Sequence, residues 1–207
     1  FSGCALRCKY CHNPDMFKIN AGKEYSVDEI FSEIKSYEKF LKRAKGGVTF
    51  SGGEPLLQAE FVEALTDKCK SIGLHVAIDT SGFMGHKASD NLLNKTDLFL
   101  LDVKSGLNDV YKKVTTVDLK NTLDFIERLN KTDTDVWVRF VLVPNLTDGE
   151  ENMEAVAEIV KTVKNLKRFD VLPFHKMGEY KWQELGLEYE LTDTESPTVS
   201  EIKRAFA

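Results

Sequence analysis

The sequence predicts an α/β fold in which parallel strands close, wholly or partly, into a barrel. Three observations predict it. Short apolar, β-branched runs alternate with stretches of helical spacing, the order expected of βα units. The runs are nearly continuous in apolar residues, which suits strands buried on both faces. Polar residues gather at the C-terminal ends of most runs, in Ser51-Gly52-Gly53-Glu54, Asp79-Thr80-Ser81-Gly82, Asp102-Val103-Lys104 and at His175. A doubly wound sheet would place its site at one or two switch-point loops. A barrel builds its site from many strand ends, and that pattern is the better match.

Each element has its own signal. Ser26-Val27-Asp28-Glu29 is a capping box that starts a helix. Ile30, Ile34, Tyr37 and Leu41 continue it at helical spacing, and Gly46-Gly47 ends it. Residues 48–50 form a short strand. The next helix carries Phe61, Leu65, Cys69 and Ile72 on one face and stops at Gly73. Residues 76–78 are a strand, Leu92 and Leu93 mark a short helix, and 98–101 is a buried strand. Leu119, Leu123, Ile126 and Leu129 mark another helix, and 136–143 is read as the longest strand. Met153, Val156, Ile159, Val160 and Val163 share a helix face, 169–172 is the last strand, and 201–206 a last helix.

The 207 residues, 42% of them hydrophobic, predict a single domain over 1–207 with a sizeable core. The net charge of −5 is spread along the chain with both signs interspersed. No basic tract points to nucleic acid, and no basic amphipathic helix or bilayer-length apolar run points to a membrane. Three of the four cysteines crowd one loop. That is no disulfide framework, and a reducing, cytoplasmic location is expected.

The loop is Cys4, Cys8 and Cys11 in C-x3-C-x2-C spacing, followed at once by His12. Three thiols leave one coordination position open, which is where metal chemistry happens. A [4Fe–4S] cube on three thiolates is the leading reading. Zinc with His12 as fourth ligand is a second, although neighbouring Cys11 and His12 would have to turn to one ion. Covalent haem is a third, because residues 8–12 spell C-x-x-C-H. Spacing alone leaves the three open. Cys69 lies on an apolar helix face and is read as core. Arg139 stands mid-strand among apolar residues, so it needs an anionic partner in a ligand or in a structural pair with Asp102 or Glu54. The Gly52-Gly53 turn allows close backbone approach to a ligand, and Glu54 offers a carboxylate for an ammonium group.

Together these blocks carry a resemblance. Cys4-Ala5-Leu6-Arg7-Cys8-Lys9-Tyr10-Cys11, with Gly52-Gly53-Glu54 after a strand, resembles the radical S-adenosylmethionine superfamily. The run Cys11-His12-Asn13, the blocks Asp79-Thr80-Ser81-Gly82-Phe83 and Leu101-Asp102-Val103-Lys104, Arg139 within 136–140, and Leu172-Pro173-Phe174-His175 narrow it to the pyruvate formate-lyase activating enzymes. The resemblance runs from residue 1 to about Tyr189. It implies a partial TIM-like (β/α)6 barrel of the radical SAM type. It implies Cys4, Cys8 and Cys11 as cluster ligands, with Tyr10 in the aromatic place of the motif. Gly52, Gly53, Glu54 and His175 would bind S-adenosylmethionine. Asp79, Thr80 and Asp102 would hold a monovalent cation, K+ or Na+, near the cofactor. Two carboxylates on neighbouring strand ends also repel each other unless a cation lies between them. Lys104 and Arg139 would line the lumen as catalytic residues, and His12 and Asp102 would lie on the path of the target peptide.

The implied activity is formation of a glycyl radical on a partner, pyruvate formate-lyase, with flavodoxin or a similar donor supplying the electron; the alternatives are another radical SAM enzyme acting on a different protein or small molecule, and a non-catalytic metal-binding protein that uses the loop for zinc. A monomer is expected. Related activases insert a ferredoxin-like segment with extra cysteines after the cluster loop. Residues 13–50 contain none, which favours the pyruvate formate-lyase type. The family also has a first strand and a D-G-P-G turn ahead of the loop, and this chain has neither. A truncated chain is therefore expected, with an upstream strand pairing beside residues 48–50.

Overall fold

A computed structural model describes residues 1–205. It contains α1 (Val27–Ser36), α2 (Glu38–Arg43), β1 (Gly47–Phe50), α3 (Ala59–Ser71), β2 (His75–Thr80), α4 (Asp90–Lys95) and β3 (Leu98–Asp102). Then follow α5 (Asn108–Thr115), α6 (Lys120–Leu129), β4 (Asp135–Leu142), α7 (Glu150–Lys161), β5 (Leu166–Pro173), α8 (Glu179–Glu184) and α9 (Val199–Arg204).

The five strands are all parallel and lie in the order β1-β2-β3-β4-β5. Consecutive order means that each crossover advances the sheet in one direction. Right-handed crossovers then wrap it around a lumen, whereas a doubly wound sheet reverses its order part-way. The partial barrel expected from the sequence is the observed class.

Burial explains how the lumen becomes usable. Along β4 buried and half-buried residues alternate through all eight positions. Val136, Val138, Phe140 and Leu142 join the main core under the helices. Arg139 and Val141 face the cavity instead. The expectation of strands buried on both faces is therefore corrected: one face is core, and the other lines a site that keeps solvent contact. β4 and β5 are each eight residues long, so 136–143 is not the single longest strand.

The first helix forms as expected at its start. Ser26 Oγ accepts the Glu29 amide, and the Glu29 carboxylate accepts the Ser26 amide. It does not run on to Gly46. It breaks at Tyr37 (φ −94°, ψ 0°), where α2 begins, and Tyr37 is exposed instead of facing the core. α5 and α8 were not read from the sequence. Each is at most eight residues and holds few buried apolar positions, Tyr111 and Val114 in α5 and Trp182 in α8. In the final helix reading, Phe206 lies outside the described residues.

A second, smaller apolar cluster sits apart from the main core. It unites Leu6, Cys8, Tyr10, Val114, Phe174, Trp182 and Tyr189, with Cys4 and Cys11 packed against it. The cysteine loop is thus seated on its own core between α5 and the segment after β5.

Candidate active site

The cysteine loop is held by its own backbone and by its neighbours. The Cys11 amide donates to the Cys8 carbonyl at 3.0 Å, closing a tight turn between two of the thiols. Arg7 turns its guanidinium onto the Cys4 and Leu6 carbonyls, at 2.7 and 2.8 Å. The Arg7 and Lys9 amides donate to the Thr115 and Val114 carbonyls at the end of α5.

The turn after β1 meets this loop. The Gly53 amide donates to the Phe1 carbonyl and the Glu54 amide to the Gly3 carbonyl, both at 2.8 Å. A Cβ on Gly53 would stand 2.3 Å from the Gly3 oxygen. The glycines therefore permit close approach of the chain's own backbone, ahead of any approach by a ligand.

Glu54 also differs from its expected state. It is buried, and both carboxylate oxygens are occupied. One accepts from Thr80 Oγ1 (2.6 Å) and the Leu56 amide (3.1 Å), the other from Ser81 Oγ (2.6 Å) and the Ser81 amide (3.0 Å). Burial raises its pKa, and those donors hold it partly back. A free carboxylate waiting for an ammonium group is not what the fold makes here. Glu54 fastens the end of β2 to the turn after β1.

Arg139 finds the partners that its position demanded. Asp102 and Arg139 are register partners on β3 and β4. Arg139 Nε donates to Asp102 Oδ1 at 2.7 Å, and its NH2 group donates to Asp79. Lys104 Nζ donates to Asp102 Oδ2 at 2.7 Å, and Ser51 Oγ to Asp79 Oδ2 at 3.1 Å. All four carboxylate oxygens thus have donors. Burial opposes ionisation of Asp102, but Lys104 and Arg139 outweigh it and hold the carboxyl below its ordinary range. Burial likewise opposes the charge on Lys104, yet Asp102 holds its pKa well above the ordinary value. Repulsion between Asp79 and Asp102 was the electrostatic motive for a monovalent cation; in this arrangement the guanidinium meets it.

At the rim, the His12 and His175 rings pack with centroids 4.4 Å apart and planes tilted by 38°, and His12 Nε2 lies 3.1 Å from the His175 carbonyl oxygen. The peptide-side and cofactor-side histidines of the sequence reading are one contact pair. One cavity of about 370 Å³ is lined by every residue that reading named: the three cysteines, Tyr10 and His12, Gly52 to Glu54, Asp79 and Thr80, Asp102 and Lys104, Arg139 and His175. Cys69 is fully buried in α3 within the main core, away from this cavity. Sequence reasoning missed Ser51 and Ser81, the hydroxyls that fix Asp79 and Glu54. Both stand inside the quoted blocks, so the blocks themselves were the signal.

The radical SAM superfamily pattern matches residues 1–159 of the chain. The chain belongs to the radical SAM superfamily. It is 41% identical over 196 residues to the pyruvate formate-lyase-activating enzyme of Clostridium pasteurianum, covering 95% of this chain and 82% of that one. It is 41% identical over 213 residues to that of Staphylococcus epidermidis, covering 99% of this chain and 84% of that one. Two solved structures share the fold at low identity. A domain of pyruvate-formate lyase-activating enzyme from Bacteroides vulgatus gives a TM-score of 0.63 at 24% identity, over 78% of this chain and 91% of that one. Streptococcus suis SuiB bound to S-adenosylmethionine gives 0.70 at 11%, over 98% and 43%. The chain is thus a radical SAM enzyme of the pyruvate formate-lyase-activating type, a family whose cofactors are a [4Fe–4S] cluster and S-adenosylmethionine.

The residues present fit that cofactor pair. The Asn13 amide already points at Cys11 Sγ, 3.4 Å away, and amide donors of this kind favour a thiolate. Burial raises all three thiol pKa values, Cys8 to about 12, so metal rather than water must draw off the protons. Zinc on Cys4, Cys8, Cys11 and His12 fits worse. Among the described residues no three His, Cys, Asp or Glu side chains are grouped to hold a metal ion, and His12 is turned to His175. A cube asks for less convergence, because each thiolate takes a different iron.

Proposed function

We propose that this radical SAM enzyme creates a glycyl radical on a pyruvate formate-lyase. The observation that carries the reading is that three thiols of one loop, the Asp79–Arg139–Asp102 bridge and the turn after β1 share one cavity. Cys4, Cys8 and Cys11 would hold three irons and leave the fourth to S-adenosylmethionine. When bound, the cluster and S-adenosylmethionine would together supply the one-electron reductive chemistry that removes a hydrogen atom from the partner's glycine. The electron would come from a low-potential donor such as flavodoxin.

The chain's own residues would bind, orient and exclude water. Backbone groups of Gly52 and Gly53, not the engaged Glu54 carboxylate, are the groups left to meet the cofactor's amino group. Arg139 would serve its carboxylate by swinging off one aspartate. Lys104, over the Tyr10 ring at 5.7 Å, supplies a fixed positive charge in the lumen. His12 and His175 would form the edge against which the target peptide passes.

Anaerobic reconstitution with iron, sulfide, S-adenosylmethionine and a partner pyruvate formate-lyase tests this. A glycyl radical signal by electron paramagnetic resonance (EPR) is expected. Cys8→Ala should abolish both iron binding and the signal, while Cys69→Ala should keep both. Equal iron loss in the two variants sinks the assignment. A K+ or Na+ ion at Asp79, Thr80 and Asp102 is proposed only for the cofactor-bound state, once Arg139 has swung off one of the two aspartates. Cofactor cleavage should then be faster in potassium or sodium salt than in choline salt at equal ionic strength; identical rates count against the ion.

A further inference from the structure

The segment after β5 folds back over the cysteine loop. Trp182 Nε1 donates to the Cys11 carbonyl at 2.8 Å. The Trp182 ring meets Phe17 edge-on at 5.6 Å, and the Tyr189 ring lies 5.5 Å from Trp182. Lys181 Nζ reaches Asn13 Oδ1 at 3.0 Å and Asp15 Oδ1 at 3.2 Å, and Lys9 pairs with Glu190. The strap thus grips the loop on both sides of its last cysteine.

Within this packing, two side-chain polar atoms are buried without a hydrogen-bond partner among the described residues: the hydroxyls of Tyr10 and Tyr189. A buried hydroxyl left unpaired is destabilising. Tyr10 lines the cavity, so the cofactor side can reach it; Tyr189 is not among the lining residues and stands against Trp182, whose indole is bonded to the Cys11 carbonyl. Both rings belong to the small apolar cluster. The three cysteines of the loop lie in or against that cluster, and their sulfurs can accept a hydrogen bond. A tyrosine hydroxyl is protonated at neutral pH and can donate.

We propose that Tyr189 is a positioning residue for the iron–sulfur cluster: its hydroxyl donates to a sulfur at the Cys11 corner once the cluster is bound, and Trp182 holds the ring and the loop in register for it. The inference rests on the radical SAM reading of the loop. A donor to sulfur favours the reduced, more negative cluster and so raises its reduction potential. The same hydroxyl is a cost in the metal-free chain and a gain in the loaded one.

Tyr189→Phe separates this from a structural role, because it removes the hydroxyl and keeps the ring. The metal-free variant should melt at the wild-type temperature or above. After reconstitution it should show a more negative midpoint in an EPR-monitored redox titration, and a smaller gain in melting temperature on loading. Iron loss from the variant with an unchanged metal-free melt also supports the contact. An unchanged midpoint at full iron overturns the proposal. A lowered metal-free melt overturns it too, since the hydroxyl then has a partner within the chain. Wild-type protein that takes up no iron and sulfide overturns the cluster reading itself, and this inference with it.

Discussion

Arg139 stands mid-strand with Asp79 and Asp102 on either side of its guanidinium, and Lys104 shares Asp102. All four side chains are less than a quarter exposed, so removing one cation leaves carboxylates that water compensates poorly. Arg139→Met should lower stability by about 2–3 kcal/mol at neutral pH, read from denaturant unfolding. The pH dependence has a definite sign. In the wild type the Asp102 carboxyl is held below its ordinary value of 3.8, so its contribution is present above that pH and is lost as pH falls through the native pKa. In the variant the Asp102 carboxyl loses the support of Arg139 and its pKa rises. Protonation then relieves them, and the deficit against wild type should be smaller near pH 4 than at pH 7. A deficit that grows on acidification would contradict the pairing. Glu54 teaches a related lesson: a motif carboxylate reads as a ligand until its four donors are seen.

Elements were legible where their ends carried chemistry. The Ser26 capping box set the start of α1; the cap of α4, Ser89, whose hydroxyl accepts the Leu92 amide, came only from the structure. Breaks without a turn residue were not legible: nothing in the apolar spacing of Ile30, Ile34, Tyr37 and Leu41 marks the interruption at Tyr37. α5 ends unusually, with exposed Thr116 left-handed (φ 73°) and its amide bonded to the Lys112 carbonyl. A β-branched residue is costly there, where glycine is the usual occupant. Thr116→Gly should stabilise the protein by about 0.5–1 kcal/mol. Thermal melting should show a rise of about 1–4 °C in Tm, and a fall would show that the Thr116 side chain has a compensating role.

At the scale of the whole molecule, the described residues form two cores with different duties. The main cluster joins sheet and helices, while the smaller one seats the cysteine loop between α5 and the strap. Val138 in β4 and Val114 in α5 are both fully buried, one in each. Val→Ala at either position should cost about 2 kcal/mol of stability. Only Val114→Ala should also speed iron loss, measured by chelator challenge well below both melting temperatures. Equal rates would mean that the loop does not depend on its own core.

The sequence alone determined the class of fold, the cysteine loop and the residues around the lumen, because strand periodicity and motif chemistry are local properties. Residues such as Asp79, Asp102 and Arg139 could be named from it, but not their bonding. Tertiary structure decided that Arg139 bridges two aspartates, that Glu54 is spent on the chain itself, and that Trp182 and Tyr189 return to the cysteine loop. Those outcomes depend on contacts between residues as far apart as 26 to 171 positions. Strand pairing, crossover order and the return of the segment after β5 bring such residues together, and their bonding partners are set by that three-dimensional arrangement, not by any single local stretch.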